Sequence, residues 1–146
     1  MRTLNKNKQE LQYSLPQERK PIYATDENGE LIVDFVDEEG NIYYRETGEY
    51  TLGWSKPDVF YANISQSGGE AEAREFGLSV ADYDAVIVAE KNKLHLVLGS
   101  LVWQNSEVLF EKGMIDNPDE KSADYTVMRI SDSLNLTKYV LKAVIK

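Results

Sequence analysis

The stretch DYTVMRISDSLNLTKYVLKAVI, residues 124–145, decides the class of fold. Two runs rich in Val, Ile, Tyr and Thr, Asp124–Ser131 and Lys138–Ile145, flank the turn Ser133-Leu134-Asn135. Short β-branched and aromatic runs bounded by Ser, Asn and Asp are strand signals. In the second run Tyr139, Leu141, Ala143 and Ile145 point one way. Val140, Lys142, Val144 and Lys146 point the other, so that second side is expected to be partly wet.

Outward from this pair the pattern repeats. Strands are expected over Glu10–Ser14, Glu30–Val36, Asn41–Glu46, Asp58–Ser65, Asp84–Glu90 and Ser100–Trp103, with Ser106–Glu111 as the partner of the last. Pro16 and Pro21 are expected to break the chain after the first strand, and Lys56-Pro57 fits a strand entrance. Asn28-Gly29, Asp37–Asn41 and Gly48 are turn signals about ten residues apart, pointing to a meander or a long protruding β-ribbon. Gly113–Lys121 reads as an exposed loop. No apolar spacing of i, i+3, i+4, i+7 marks a helical bundle. The best helix is GEAEAREFG, residues 69–77, with Ala71 and Ala73 as strong formers, Glu70 and Arg74 at i, i+4, and Gly77 to close it. The expectation is one mainly β domain over 1–146, a small barrel or sandwich with one short helix and long hairpin loops. Residues 20–50 form its extended hairpin region.

Composition narrows function. The 146 residues are 42% hydrophobic and 28% charged, an ordinary globular balance. There is no cysteine, hence no disulfide, thiol nucleophile or thiolate metal site. His95 is the only histidine, so no His pair can serve catalysis or zinc. No apolar run approaches the roughly 20 residues of a membrane span. The polar, basic start MRTLNKNK has no apolar stretch after it, so synthesis in a cytoplasm without a secretory signal is expected.

The net charge is −9, with most of the acid between Asp26 and Glu90. An acidic surface repels phosphates, which disfavours broad duplex binding and suits a surface that DNA must pass without sticking.

No motif builds a reactive centre. Asp26-x-Asn28-Gly29 and Asp37-x-x-Gly40-Asn41 resemble calcium loops, but neither continues with alternating oxygen ligands and a closing Glu, so both read as hairpin turns. Glu72 and Glu75 share a helix face without further oxygen ligands for a metal. Gly68-Gly69 precedes a helix without the Gly-Lys-Ser/Thr of a phosphate loop. His95, between Leu94 and Leu96, has no activated Ser or Asp assigned to it. Trp54, Trp103 and nine Tyr read as core or interface in this acidic context rather than as base-stacking groups. Neither an enzyme nor a cofactor is expected.

The order of segments carries a resemblance. MRTLNKNKQ (1–9), FYANISQSGGEAEAREFG (60–77) with YDAVIV (83–88), and ADYTVMRISDSLNLTKYVLK (123–142) resemble, in that order, the siphophage head-closure or stopper family from Gram-positive hosts. Its members are also called head–tail joining proteins. The resemblance implies a small β-barrel with a packed helix and no enzyme activity. It also implies a homo-oligomeric ring between the portal or adaptor and the tail terminator or tail tube. Such a ring continues or closes the DNA channel without sequence-specific DNA contacts. The expected location is the virion, at the head–tail interface, with no membrane partner. Lys20–Thr47 looks longer than the family's usual connection.

Three other readings stay open at this point: a tail terminator or minor tail protein, a free acidic DNA mimic, and an enzyme of unknown substrate. Ser67, Gly68, Gly69, Glu70, Glu72, Arg74 and Phe76 are the expected interaction segment, although Phe76 also suits a core position at a helix end. Arg2, Leu4 and Asn5 are a second expected contact, as a short arm on an adjacent subunit.

Overall fold

In a computed structural model the described residues are 8–66, 69–79 and 82–145. Six antiparallel strands close into a barrel. They are β1 (Gln9–Ser14), β6 (Asp58–Gln66), β7 (Ala85–Glu90), β10 (Leu136–Ala143), β9 (Tyr125–Asp132) and β8 (Leu101–Trp103), in that spatial order. Closure is made by β8, whose Leu101 and Trp103 register with Ser14 and Gln12 of β1. A closed sheet leaves no free edge for uncontrolled pairing.

Alternation explains the interior. Leu11, Phe60, Ala62, Ala85, Ile87, Ala89, Val102, Val127, Tyr139 and Leu141 converge inside the barrel, joined by Leu96 from the loop after β7. Each large apolar side chain fully buried there contributes roughly 1.5–3 kcal/mol.

The out-facing residues of β7 and β10 are covered by α1 (Glu70–Glu75). A six-residue helix is too short to persist alone, so packing must hold it. Ala73 and Phe76 lie on Val86, Val140 and Tyr83, the two rings meeting edge to face at 5.8 Å. Gly77, at φ 70°, takes the left-handed position that ends the helix. Its N–H reaches Arg74 O at 3.0 Å and that of Leu78 reaches Ala73 O at 2.8 Å. Arg129 of β9 adds a bond to the carbonyl of Phe76. The partly wet side expected of the last strand is found, with Lys142 exposed and Val144 half-buried, while Val140 is fully buried because the helix covers it.

Four strands stand outside the barrel. β2 (Glu18–Tyr23) pairs with β5 (Glu46–Gly53), and β3 (Val33–Val36) pairs with β4 (Ile42–Tyr44). Between β2 and β3 a side hairpin turns at Asp26–Gly29 and is closed by the bridge of Thr25 to Leu31. Pro21 does not break the chain: it lies in β2 opposite Tyr50. In a two-stranded ribbon every strand is an edge, and an edge tolerates a missing N–H. Gly48 is not a turn either. It sits within β5 at φ 89°, where the register slips between Pro21 and Tyr23.

The expected pairing of Ser106–Glu111 with Ser100–Trp103 is also corrected. β8 pairs with β1 and β9 instead, and residues 104–124 fold back as an irregular segment over Leu101, Trp103 and Ala123. Within it Phe110 bridges Pro118, and a 3-10 turn spans Glu120–Ser122. Asp124 organises its start, Oδ2 accepting the N–H groups of Gln104, Asn105 and Ser106 at 2.8–3.2 Å. Gly113–Lys121 is therefore not wholly an exposed loop, since Asn117 and Pro118 are buried.

Candidate interaction surface

Residues 18–53 form an arm in which no residue is buried. At about 3.3 Å per residue, the run from Ile42 to Gly53 extends roughly 40 Å. A two-stranded ribbon without a covered face is marginal in water, so local bonds must hold its shape.

Asp26 and Asp37 provide them at the two turns. Asp26 Oδ1 accepts from Asn28 N at 2.9 Å and Glu30 N at 3.0 Å. Asp37 Oδ1 accepts from Glu39 N and Asn41 N at 2.9 Å each. Its Oδ2 takes the Asn41 amide at 3.0 Å and the Tyr43 hydroxyl at 3.3 Å. The Asn41 amide first, then these backbone bonds, hold the Asp37 carboxyl below the usual carboxylate range. Both resemblances to calcium loops thus resolve as turns whose carboxylates are bound to their own backbone.

The arm's foot is fixed to the barrel. Leu15 and Ser55 exchange bonds, Leu15 N to Ser55 Oγ at 2.8 Å and Ser55 N to Leu15 O at 2.9 Å. Asn117 Oδ1 accepts from Trp54 N at 2.7 Å, and Lys20 Nζ reaches the Ile115 and Asp116 carbonyls at 3.4 and 3.3 Å. Farther out Lys112 Nζ donates to Asn28 O at 2.8 Å and lies 3.4 Å from Glu30. The 104–124 segment thus braces β2 and the side hairpin, while the β3–β4 tip stands clear.

That tip is apolar on both faces. Phe35 and Tyr43 stack at 4.5 Å with 13° between planes. Val36 lies opposite Ile42 in the ladder. All four are about half exposed, between 45 and 56%. Nearer the foot Tyr50 and Leu52 are also exposed, with Arg19 over the Tyr50 ring at 3.9 Å. Around these groups the arm carries ten acidic residues against three basic ones, a net −7 within a chain of −9. The tip is thus an exposed apolar patch with an acidic rim, chemistry that favours burial of the rings and suits a basic counterpart.

The expected interaction residues lie elsewhere. Gly69 precedes the helix at φ 95°, and Arg74 is exposed. Glu72 Oε1 accepts from the Tyr83 hydroxyl at 2.7 Å, and Phe76 is core. Glu75 pairs with Lys138 at 3.0 Å, so the two carboxylates on one helix face are each engaged with a different partner. Glu70 belongs to the same helix. Ser67, Gly68, Arg2, Leu4 and Asn5 lie outside the described residues. The sequence reading placed strands at the tip but did not single out Phe35, Val36, Ile42 and Tyr43. The available signal was adjacent apolar pairs, Phe35-Val36 and Ile42-Tyr43, in strands too short and too acidic to be core.

Among the described residues no group of three or more His, Asp and Glu is placed to hold a metal ion. His95 is exposed. Among the described residues no helix is long and apolar enough to cross a membrane. Comparison with protein-family models, curated proteins and solved structures finds no match to this chain.

Proposed function

We propose that this chain is a structural component of a siphophage neck. Copies assemble into a ring between the head-side portal or adaptor and the tail, joining the two and continuing or closing the DNA channel. The observation that carries this reading is the arm: a braced, acidic ribbon with an apolar tip that the described residues leave uncovered. The resemblance of the ordered segments 1–9, 60–77, 83–88 and 123–142 to head-closure proteins supplies the setting. A rigid barrel that presents contact faces, with an acidic surface that does not trap phosphates, suits a conduit for DNA. No enzymatic step is part of the proposal.

The test is a virus lacking the product. Full heads that leak DNA, together with free tails, are expected, and normal infectious particles would reject the role. Cross-linking to the head-side adaptor separates this position from that of a tail terminator or minor tail protein, which would cross-link only to tail parts.

A further inference from the structure

Among the described residues the arm tip has no covering partner, and the barrel carries a surface of matching chemistry. The loop KNKLHLVLG, residues 91–99, contains no acidic residue. It alternates like a strand. Leu94 and Leu96 face the barrel core, while Lys93, His95 and Val97 are exposed, as are Lys91 and Leu98. Its backbone is anchored, because the Tyr139 hydroxyl donates to Leu94 O at 2.8 Å and Gly99 N reaches Val127 O at 2.8 Å. Lys91 N bonds Asn135 O at 3.1 Å, which sets Leu134, 87% exposed, beside the basic end of the loop. Between the loop and strands β9 and β10 lies an open groove of about 300 Å³, lined in part by His95, Val97 and Ile130; its one carboxylate, Asp132, accepts the Thr137 hydroxyl at 2.6 Å.

In its own molecule the loop lies at the other end of the arm: Gly99 is beside Pro16 at the foot, and up to roughly 40 Å of extended chain separates the foot from the tip. Pairing of two arms tip to tip is disfavoured, since each carries −7. An acidic, aromatic tip in one place and a basic, aliphatic loop in another define a heterologous contact, which propagates and closes into a ring if the rotation permits.

We propose that the β3–β4 tip of one copy docks on the 91–99 loop of the next. Phe35 and Tyr43, or Val36 and Ile42, cover the groove and Leu134, while Asp34, Glu38 and Glu39 face Lys91 and Lys93. The inference rests on the reading of the chain as a ring component and names the contact that builds the ring.

The test mixes isotopically light and heavy copies of the full chain at high concentration and joins carboxylates to amines with a zero-length carbodiimide. Cross-links between copies are expected from Glu38 and Glu39 to Lys91 and Lys93. Self-association should be lost in Glu38→Lys/Glu39→Lys and in Lys91→Glu/Lys93→Glu, and should return when these two variants are mixed. Failure of the wild-type chain to associate overturns the proposal. So do cross-links between copies that avoid the loop, or charge reversals that are silent or not rescued by mixing. These results leave the neck assignment intact, because that rests separately on the phenotype of the virus lacking the product.

Discussion

Asn117 Oδ1 accepts the backbone N–H of Trp54 at 2.7 Å, and Asn117 is itself 98% buried. Its amide group donates to Glu111 Oε2 at 3.0 Å, so one side chain ties the foot of the arm to the segment that braces it. A Cβ on Gly53 would stand 2.5 Å from the same oxygen. Asn117→Ala leaves the Trp54 N–H without its partner, at about 1–3 kcal/mol. Gly53→Ala is expected to destabilise as well, by collision. The double variant should cost less than the sum, because removing the amide removes the obstacle. Denaturant titration of the four proteins checks this, and strict additivity would contradict it.

Arg74 lies in the last turn of the short helix and Phe76 caps its end, and the two should behave oppositely. Phe76→Ala empties a site packed on Tyr83, Val86 and Val140, and a loss of about 3–5 kcal/mol is expected. Arg74→Ala, at an exposed position, should stay within about 0.5 kcal/mol. Thermal melts distinguish them. If Arg74→Ala also abolishes assembly without lowering stability, the helix face is a second contact.

Asp124 governs acid sensitivity where the bracing segment begins. Partial burial alone would raise its pKa, but the Ser106 hydroxyl and the N–H groups of Gln104, Ser106 and Asn105 outweigh it, and the carboxyl is held below the usual range. A carboxyl lowered in the folded state contributes stability that is complete above its unfolded pKa, about 3.9. That contribution is lost as pH falls through the folded value. Asp124→Asn should therefore be clearly less stable at pH 7, and the gap to wild type should narrow as melts are run toward pH 2.5. A gap constant with pH would contradict the ionised, hydrogen-bonded state.

The tip should be separable from the fold. Phe35→Ser with Ile42→Ser removes an exposed side chain from each face of the β3–β4 ribbon, and neither belongs to a buried cluster. The melting transition should move by no more than about 1 kcal/mol equivalent. The variant should nevertheless fail to restore infectivity to a virus lacking the product. Full complementation would show that the tip is not a contact.

How much was legible follows from burial. β6, β7, β9 and β10 were read close to their observed limits because each has a buried face, and a buried face writes a period of two into the chain. The helix was legible from Ala71, Ala73 and Gly77. β2 and β5 left no such trace. ERKPIY and ETGEYTLG bury neither face, so Pro21 and Gly48 looked like breaks when one lies at a tolerant edge and the other at a bulge. The same cause hid the tip, whose apolar residues face outward on both sides. That Val140 is the dry residue of a partly wet side is illegible for a different reason: its cover comes from a helix more than sixty positions earlier in the chain. Nothing in its neighbours, Tyr139 and Leu141, announces that.

The ribbon hangs from the β-cylinder by a few clasped residues and shares none of its interior. If the tip is the contact proposed above, a change at its far end alters whom the molecule grips without touching whether it holds together. A lineage can exchange neighbours by rewriting a dozen positions, and the remainder of the polypeptide can stay as it is.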